Sequence, residues 1–307
     1  MLVVFYNVEN LFDTHNDPRT RDDDFTSHGE LEWDESRYQE KLDDLAYVLD
    51  AVGPENHQPG LIGLCEVENY RVVEDLISNR RLQYMPYKII HTESRDQRGI
   101  DNALVYSEDA FEYLGHEALN IDRFAPSPLF SRDILHVWGK LHDGSVLHVF
   151  VNHWPSRRDG KDETEYKRKA AAKSLKHRVD ELVAADRNAQ ILIMGDFNDT
   201  PVDYTVKTVL QAGRQSKGSP ELVNLGWEIH DRKKGTVFRD DEWSLFDQFI
   251  VSHSLLKRVH GKKMHVFDDA EVLYTGRSGV ARPSRTYVGA RHAGGFSDHL
   301  AVWLQLD

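Results

Sequence analysis

Six apolar stretches of the 307-residue chain carry carboxylates, amides or imidazoles in or directly beside them. Leu2–Val8 contains Asn7 and leads into Glu9. Leu61–Val67 contains Glu66. Val146–Val151 ends in Asn152, His153 and Trp154, and Ile191–Met194 ends in Gly195, Asp196, Phe197 and Asn198. Leu245–Val251 carries Asp247 inside it, and Leu300–Leu304 is preceded by Ser297, Asp298 and His299. Burying a charge beside such strands is costly unless it is paired or bound to metal. Taken singly, each residue has an ordinary structural reading: a strand-end histidine is most often structural, and Gly-Asp-Phe-Asn alone is a turn. Six together imply that the strand ends converge on one polar site.

Alternation along strands sharpens two positions. In Leu245, Asp247, Phe249 and Val251 the acid shares a face with apolar neighbours, so Asp247 is expected to be buried and to need a donor such as an imidazole. His153 likewise extends the row Val149 and Val151. The elements holding these residues are mixed. Further strand-like runs are Tyr87–His91, Ala103–Tyr106 and Ile134–Leu141, the last joined to Val146–Asn152 by an Asp143-Gly144 turn. Tyr38, Leu42, Leu45, Leu49 and Val52 recur at helical spacing, and Glu163–Ala185 and Val202–Ala212 are expected as further helices. Strands that follow one another without helices argue for an α+β chain with mixed sheets.

Composition narrows the function. Hydrophobic residues make up 40% and charged residues 29%, the balance of a globular chain, with no apolar run long enough to span a bilayer. Acids outnumber bases by 51 to 38, a formal charge of −13, which counts against a sequence-independent coat on duplex nucleic acid. The single cysteine, Cys65, excludes an intramolecular disulfide framework and reads as a buried small hydrophobe. No signal peptide precedes the first strand, which fits a cytoplasmic protein or an exported one trimmed of its leader. The acidic segment Asp13–Asp34 reads as a solvated surface loop.

The order Asn7-Val8-Glu9-Asn10, Cys65-Glu66-Val67-Glu68, Asn152-His153-Trp154-Pro155-Ser156-Arg157, Gly195-Asp196-Phe197-Asn198, Phe246-Asp247-Gln248-Phe249 and Ser297-Asp298-His299 resembles the endonuclease/exonuclease/phosphatase superfamily along essentially the whole chain. Tyr6–Phe12 and Arg98-Gly99-Ile100-Asp101 resemble a bacterial branch of it. The resemblance implies one domain over residues 1–307, a four-layer α/β sandwich with two mixed β-sheets face to face and helices outside, and a site where loops from both sheets meet. It implies metal ligation by Glu66, with Asn7, Glu9 and Asp298 as helpers. Asp196 would orient or deprotonate the attacking water and Asn198 would hold phosphate and water. His299, oriented by Asp247, and His153 would face the phosphate, with Arg98 and Arg157 as further contacts. Phosphoryl transfer wants a hard cation on oxygen ligands, so Mg2+ or Mn2+ is expected rather than zinc.

The resemblance fixes a reaction type and not a substrate. A nuclease is the expected activity for a monomeric enzyme acting on a phosphoester, with a phosphatase or phosphodiesterase acting on inositol phosphates, sphingomyelin or another small or lipid substrate as the alternative. Arg277–Arg291 carries Arg277, Arg282, Arg285 and Arg291 without an acid and runs up to Asp298-His299, so Arg282 and Arg285 are expected to receive phosphate at the rim. Tyr287 within this run is expected to pack against the sheet rather than stack on a base.

Overall fold

The computed structural model describes residues 1–55, 57–215, 221–277 and 279–307; Ser278, inside the basic run 277–291, lies outside them. The alternating apolar runs form two mixed sheets. One has six strands in the spatial order His265–Val266, Val302–Gln305, Leu2–Leu11, Pro59–Val67, Asp101–Ser107 and Tyr87–His91. The other has seven, in the order Glu112–Leu119, Ile134–Lys140, Val146–His153, Gln190–Asp196, Asp247–Ser252, Leu222–Asn224 and Ala212–Gly213.

Strand periodicity sorts the side chains into layers. Val3, Phe5, Leu61 and Cys65 meet Val149, Val151, Met194 and Phe249 in a core between the sheets. Val4 and Tyr6 point the other way, onto helix α1 (Glu35–Ala51) and helix α2 (Tyr70–Ile77) through Leu42, Leu45, Leu49, Val72 and Val73. Phe150, Ile191 and Ile193 pack outward onto helix α3 (Glu165–Ala185) through Ala171, Leu175 and Val179. The result is the expected sandwich: helices, sheet, sheet, helix.

Strand direction decides where the polar residues go. Leu2–Leu11 and Pro59–Val67 run parallel, and Val302–Gln305 is antiparallel to the first. Val146–His153 and Gln190–Asp196 are also parallel, with His153 opposite Asp196, and Asp247–Ser252 runs antiparallel with Asp247 opposite Asp196. The C-terminal ends of four strands and the N-terminal ends of two therefore come to one edge.

Three expectations are corrected. Val202–Ala212 is not a full helix; only Thr205–Val209 makes one π-type turn, and the chain is extended again at Ala212–Gly213. That turn reads Thr-Val-Lys-Thr-Val, and four β-branched residues in five propagate a helix poorly. The segment Asp13–Asp34 is not merely solvated. Trp33 is fully buried and donates Nε1–H to the Phe12 carbonyl, Phe25 stacks on Phe12 at 4.2 Å, and Asp22 is 1% exposed. The basic run folds into two ribbons, Leu273–Thr275 with Ala281–Pro283 and Tyr287–Val288 with Arg291–His292. One strand carries no readable signal in the sequence: the edge strand Glu112–Leu119 is largely exposed and shows no apolar alternation. Helix α2 is short but marked, with Val72, Val73 and Leu76 on its buried face and Asn69 capping it by accepting from Val72 N–H.

Beneath the Asp196–Asn198 turn lies a buried ion pair. Arg168 of α3 is fully buried, with Nε 2.9 Å from Asp199 Oδ1, and its other nitrogens reach Thr164 Oγ1 and the Lys161 carbonyl. Removing one partner of such a pair strands the other charge. Arg168→Met should cost about 3 kcal/mol in urea denaturation, the lower end of the range because Arg157 also reaches Asp199. A loss within experimental error would show that the pair does not hold this turn.

Candidate active site at the shared sheet edge

Asn7 sits on the inward face of its strand, continuing the row Val3 and Phe5, and is fully buried. Its Nδ2 donates toward Glu66 Oε1 at 3.4 Å and Asp196 Oδ2 at 3.2 Å and lies 3.5 Å from His299 Nε2, while its Oδ1 accepts from Glu9 N–H. One amide thus ties together residues from both sheets. Beyond Asn7 the strand bulges, and the bulge at Cys65–Val67 on the neighbouring strand repeats the device. Glu9, Asn10 and Glu66 take positive φ values of 49°, 55° and 64°, and Asn198 in the second sheet takes 48°. Asparagine tolerates that region; glutamate does so at a cost, which surrounding contacts must hold in place. Asn10 N–H donates to Glu66 Oε2 at 3.0 Å and Thr286 N–H to Glu9 Oε2 at 2.7 Å.

Asp196 is 1% exposed. Its Oδ1 accepts from Asn198 N–H at 2.8 Å, and its Oδ2 faces the amide Nδ2 of both Asn198 and Asn7. Burial, with the charge of Asp247, pushes its pKa up to about 6 against the opposing pull of His299. His299 Nδ1 donates to the fully buried Asp247 Oδ2 at 2.8 Å, and Thr236 Oγ1–H donates to the same oxygen. Burial alone would favour the neutral ring, but the charges of Asp247 and Asp196 outweigh it and hold His299 up to about 10. His153, equally buried, lacks such a partner. Its Nε2 stands 3.6 Å from Glu66 and 3.7 Å from Asp196, and burial drives its pKa well below the ordinary value. Two imidazoles face one cleft, one cationic and one neutral.

The remaining carboxylates divide by what neutralises them. Asp298 is met by Arg285 at 2.7 Å and Arg239 at 3.6 Å, and Glu9 by Arg285 Nε at 3.8 Å. Burial and the neighbouring charge of Asp298 raise Glu9 to about 7, even with buried Lys41 nearby. Glu66 has no Lys or Arg partner among the described residues, only a neutral imidazole, an amide and a backbone N–H. Its carboxylate is the one free to take a cation, with Glu9 and Asp298 beside it. The donor set is oxygen-rich, and Glu66 has no cationic side chain against it among the described residues, so the residues fit a hard divalent ion. Asp196, Asp247 and His299 also offer donor atoms within 4.8 Å of one another. There, however, Asp247 Oδ2 is already filled by His299 and Thr236, so this group is a hydrogen-bonded dyad beside an acid rather than the better cation site.

Glu9, Glu66, His153, Asp196, Asn198, Asp298 and His299 line a cleft of about 570 Å³, together with Arg21, Arg98, Arg158, Arg239, Arg285 and Tyr287, while Asn7 and Asp247 lie behind its wall. A larger trough of about 650 Å³ near Asp13, Tyr38 and Arg71 contains none of them. The structure brings Asn7, Glu9, Glu66, His153, Asp196, Asn198, Asp247, Asp298 and His299 together. Among the expected phosphate contacts, Arg98 reaches the cleft. Arg157 does not: its guanidinium is taken by Asp199 and Asp203 and stacks on Phe246. Arg285 bridges Glu9 and Asp298 and, 42% exposed, stands where the cleft meets the adjoining hollow. Arg282 lies over the Tyr274 ring in an adjoining hollow. Asn7 turns its NH2 group toward Glu66 and Asp196, so here it donates to the acids. Tyr287 packs on the segment Asp13–Asp34 rather than on the sheet, donating to the Leu31 carbonyl and tilting against Trp33, and it also lines the cleft.

Sequence reasoning missed Arg239, Arg158, Thr236 and Lys41. Lys41 had a signal, a charged residue inside the helical apolar stripe of α1. It is 2% exposed and donates to Thr286 Oγ1 and the Phe296 carbonyl, which steadies the Thr286 N–H that holds Glu9. Arg239 stands in a short ribbon with no pattern to mark it.

A family model described as the Endonuclease/Exonuclease/phosphatase family matches residues 2–307. Solved structures share the fold at low identity. The chain superposes on a mannosyl-6-phosphatase of Bacteroides thetaiotaomicron VPI-5482 with a TM-score of 0.62 at 18% identity, covering 100% of this chain and 99% of that one. It also superposes on Danio rerio TDP2 complexed with single strand DNA product (0.58, 13%, covering 99% and 97%) and on the human Nocturnin catalytic domain with bound sulfate (0.58, 15%, covering 99% and 93%). A search of curated protein sequences returned no match.

The dyad makes a spectroscopic prediction. Asp247→Asn removes the charge that holds the His299 proton, so the imidazole titration followed by NMR should move down by about one to three pH units. An unchanged midpoint would mean that Asp247 does not support the cation.

Proposed function

The chain belongs to the endonuclease/exonuclease/phosphatase family, whose enzymes hydrolyse phosphoester bonds with a divalent metal, and from that premise we propose that it is a Mg2+- or Mn2+-dependent nuclease. The observation that carries the choice of a chain-like phosphodiester is the shape and charge of the groove. The cleft continues on one side, through Arg239 and Arg285, into a hollow of about 280 Å³ carrying Arg282 and Arg291. On the other side it continues, through Arg98 and Arg158, into a hollow of about 180 Å³ carrying Lys167. In a protein with a formal charge of −13, the hollows at both ends of an otherwise charge-balanced cleft carry an excess of basic side chains, which suits a polyanion longer than one phosphate.

In this reading Glu66 is the principal ligand of the metal, with Glu9 and Asp298 near it, and the bound ion supplies neutralisation of charge on the phosphate. Asp196, held by Asn198 N–H and Asn7, orients the attacking water and accepts its proton; its raised pKa suits a base working near neutrality. His299, kept cationic by Asp247, donates from Nε2 to a phosphate oxygen where charge develops. His153 offers a neutral donor or acceptor opposite it. Arg98 and Arg158 hold the flanking phosphate.

Activity against plasmid DNA, single-stranded DNA, RNA, inositol phosphates and sphingomyelin, with Mg2+ or Mn2+ and an Asp196→Asn control, tests the reading. Nucleic-acid cleavage that the control abolishes is expected. Hydrolysis of only a lipid or inositol phosphate would overturn the nuclease assignment while leaving the reaction class intact. Glu66→Gln should raise the metal concentration needed for half-maximal activity at least about tenfold, as losing a ligand costs no less than losing its support; full wild-type activity in excess chelator would sink the metal requirement. Binding a phosphate through a basic side chain releases counterions. Arg282→Ala with Arg291→Ala should therefore flatten the dependence of log K on log salt by about 0.7 for each phosphate of a single strand that is no longer neutralised. An unaltered slope would remove that hollow from the substrate track.

A further inference from the structure

We propose a second metal site, separate from the cleft, in which His91, Glu93 and Asp101 bind a divalent transition-metal ion, Zn2+ by preference. His91 ends the edge strand Tyr87–His91 of the six-stranded sheet and pairs with Ala103; Asp101, two residues along the neighbouring strand, is its diagonal neighbour on the same face. Glu93 follows two residues after His91, at the start of the segment that leads to Arg98. The three side chains offer one donor atom each within 4.8 Å of one another.

The electrostatics of the group are incomplete without a cation. His91 Nε2 lies 3.3 Å from Asp101 Oδ2, both side chains are nearly sealed at 4% and 3% exposure, and yet His91 Nε2 has no hydrogen-bond partner. Ser94 N–H occupies the other Asp101 oxygen at 2.9 Å, leaving Oδ2 to face the ring nitrogen. No Lys or Arg forms an ion pair with Glu93 or Asp101 among the described residues, and Arg19 close by is held by Asp17. A buried carboxylate is ordinarily paired or bound to metal, and Asp101 has no partner here but the His91 ring and Ser94 N–H, a set that a cation between the ring nitrogen and Oδ2 would complete.

The ligand types choose the ion. An imidazole with two carboxylates suits Zn2+ or another late transition metal, whereas Mg2+ and Ca2+ want oxygen alone. Ligand atoms around tetrahedral zinc lie about 3.4 Å apart, given bonds near 2.0–2.1 Å. The His91–Asp101 pair already has that spacing, and the exposed Glu93 is free to swing in, with water completing the shell on the open side of the edge strand. The ion would pin the segment between Glu93 and Asp101, which carries Arg98 into the cleft and Asp96 onto buried Arg132 at 2.7 Å.

The test uses the full chain, stripped with chelator and titrated with Zn2+ alone by calorimetry, with bound metal counted by elemental analysis. Wild type should take up one zinc equivalent that Glu93→Gln binds at least about tenfold more weakly, that His91→Gln loses, and that Glu66→Gln retains. Co2+ in place of Zn2+ should give visible d–d absorption that follows the same pattern. Glu93 is exposed, so Glu93→Gln folds and decides the matter even if His91→Gln does not. Equal zinc affinity and stoichiometry in wild type and Glu93→Gln would overturn the site, as would a zinc equivalent lost in Glu66→Gln and kept in His91→Gln.

Discussion

Crowding of negative charge at one sheet edge is the constraint on which the rest of this structure depends. Glu9, Glu66, Asp196, Asp247 and Asp298 meet within a few side-chain lengths, three of them nearly sealed from water. Each is answered differently. Asp247 is answered by a cationic imidazole, Asp298 and Glu9 by Arg285, and Asp196 by two amides and a backbone N–H. Glu66 is left with neutral donors. Because the interior strengthens electrostatic interactions of both signs, an arrangement of this kind is stable only when every donor is positioned, and Glu66 is the one carboxylate of the five left without a charged partner among the described residues.

Positioning those donors has a conformational cost that falls on the backbone. Two adjacent strands bulge as they reach the edge, and Glu9 and Glu66 sit at positive φ, where side chains other than glycine or asparagine are disfavoured. The bulges turn glutamates that would otherwise alternate between the inter-sheet core and the helix layer so that both face the cleft. Contacts from distant parts of the chain hold the strained geometry. Thr286 N–H grips Glu9, Lys41 grips Thr286 from α1, and Ser297 Oγ–H donates to the Asn7 carbonyl. The Arg168–Asp199 pair does the equivalent work under the second sheet.

The charge distribution reconciles an acidic protein with an anionic substrate. Net charge governs long-range behaviour, whereas the field inside a narrow cleft is set by the groups that line it. Arg21, Arg98, Arg158, Arg239 and Arg285 line this one beside Glu9, Asp24, Glu66, Asp196 and Asp298, so the cleft itself is balanced, and the hollows on either side add Arg282, Arg291 and Lys167. The formal charge of −13 argues against nonspecific coating of nucleic acid and leaves the basic excess of the two flanking hollows unaffected.

Much of this is legible in the sequence because it depends on local pattern. Strand alternation places Asp247 and His153 on inward faces, and the strand and helix periodicities locate Leu2–Val8, Tyr87–His91 and α1 and α3 to within a few residues. Motif order points to the family, and with it to the sandwich that the structure shows. What depends on side chains meeting across the chain is not legible. Arg157 follows the His153 motif directly, yet it is drawn away by Asp199 and Asp203. Arg285 belongs by its sequence context to a rim loop, and only the fold of the ribbons of residues 273–292 sets it between Glu9 and Asp298. Lys41 is a lysine among many in a charged chain and proves to be a buried strut. Val202–Ala212 has helical spacing but β-branched composition, and only Thr205–Val209 makes a helical turn. Periodicity is a property of neighbouring residues and can be read along the chain. The partner that finally neutralises a charge is chosen in three dimensions, by whichever strand end or ribbon arrives beside it.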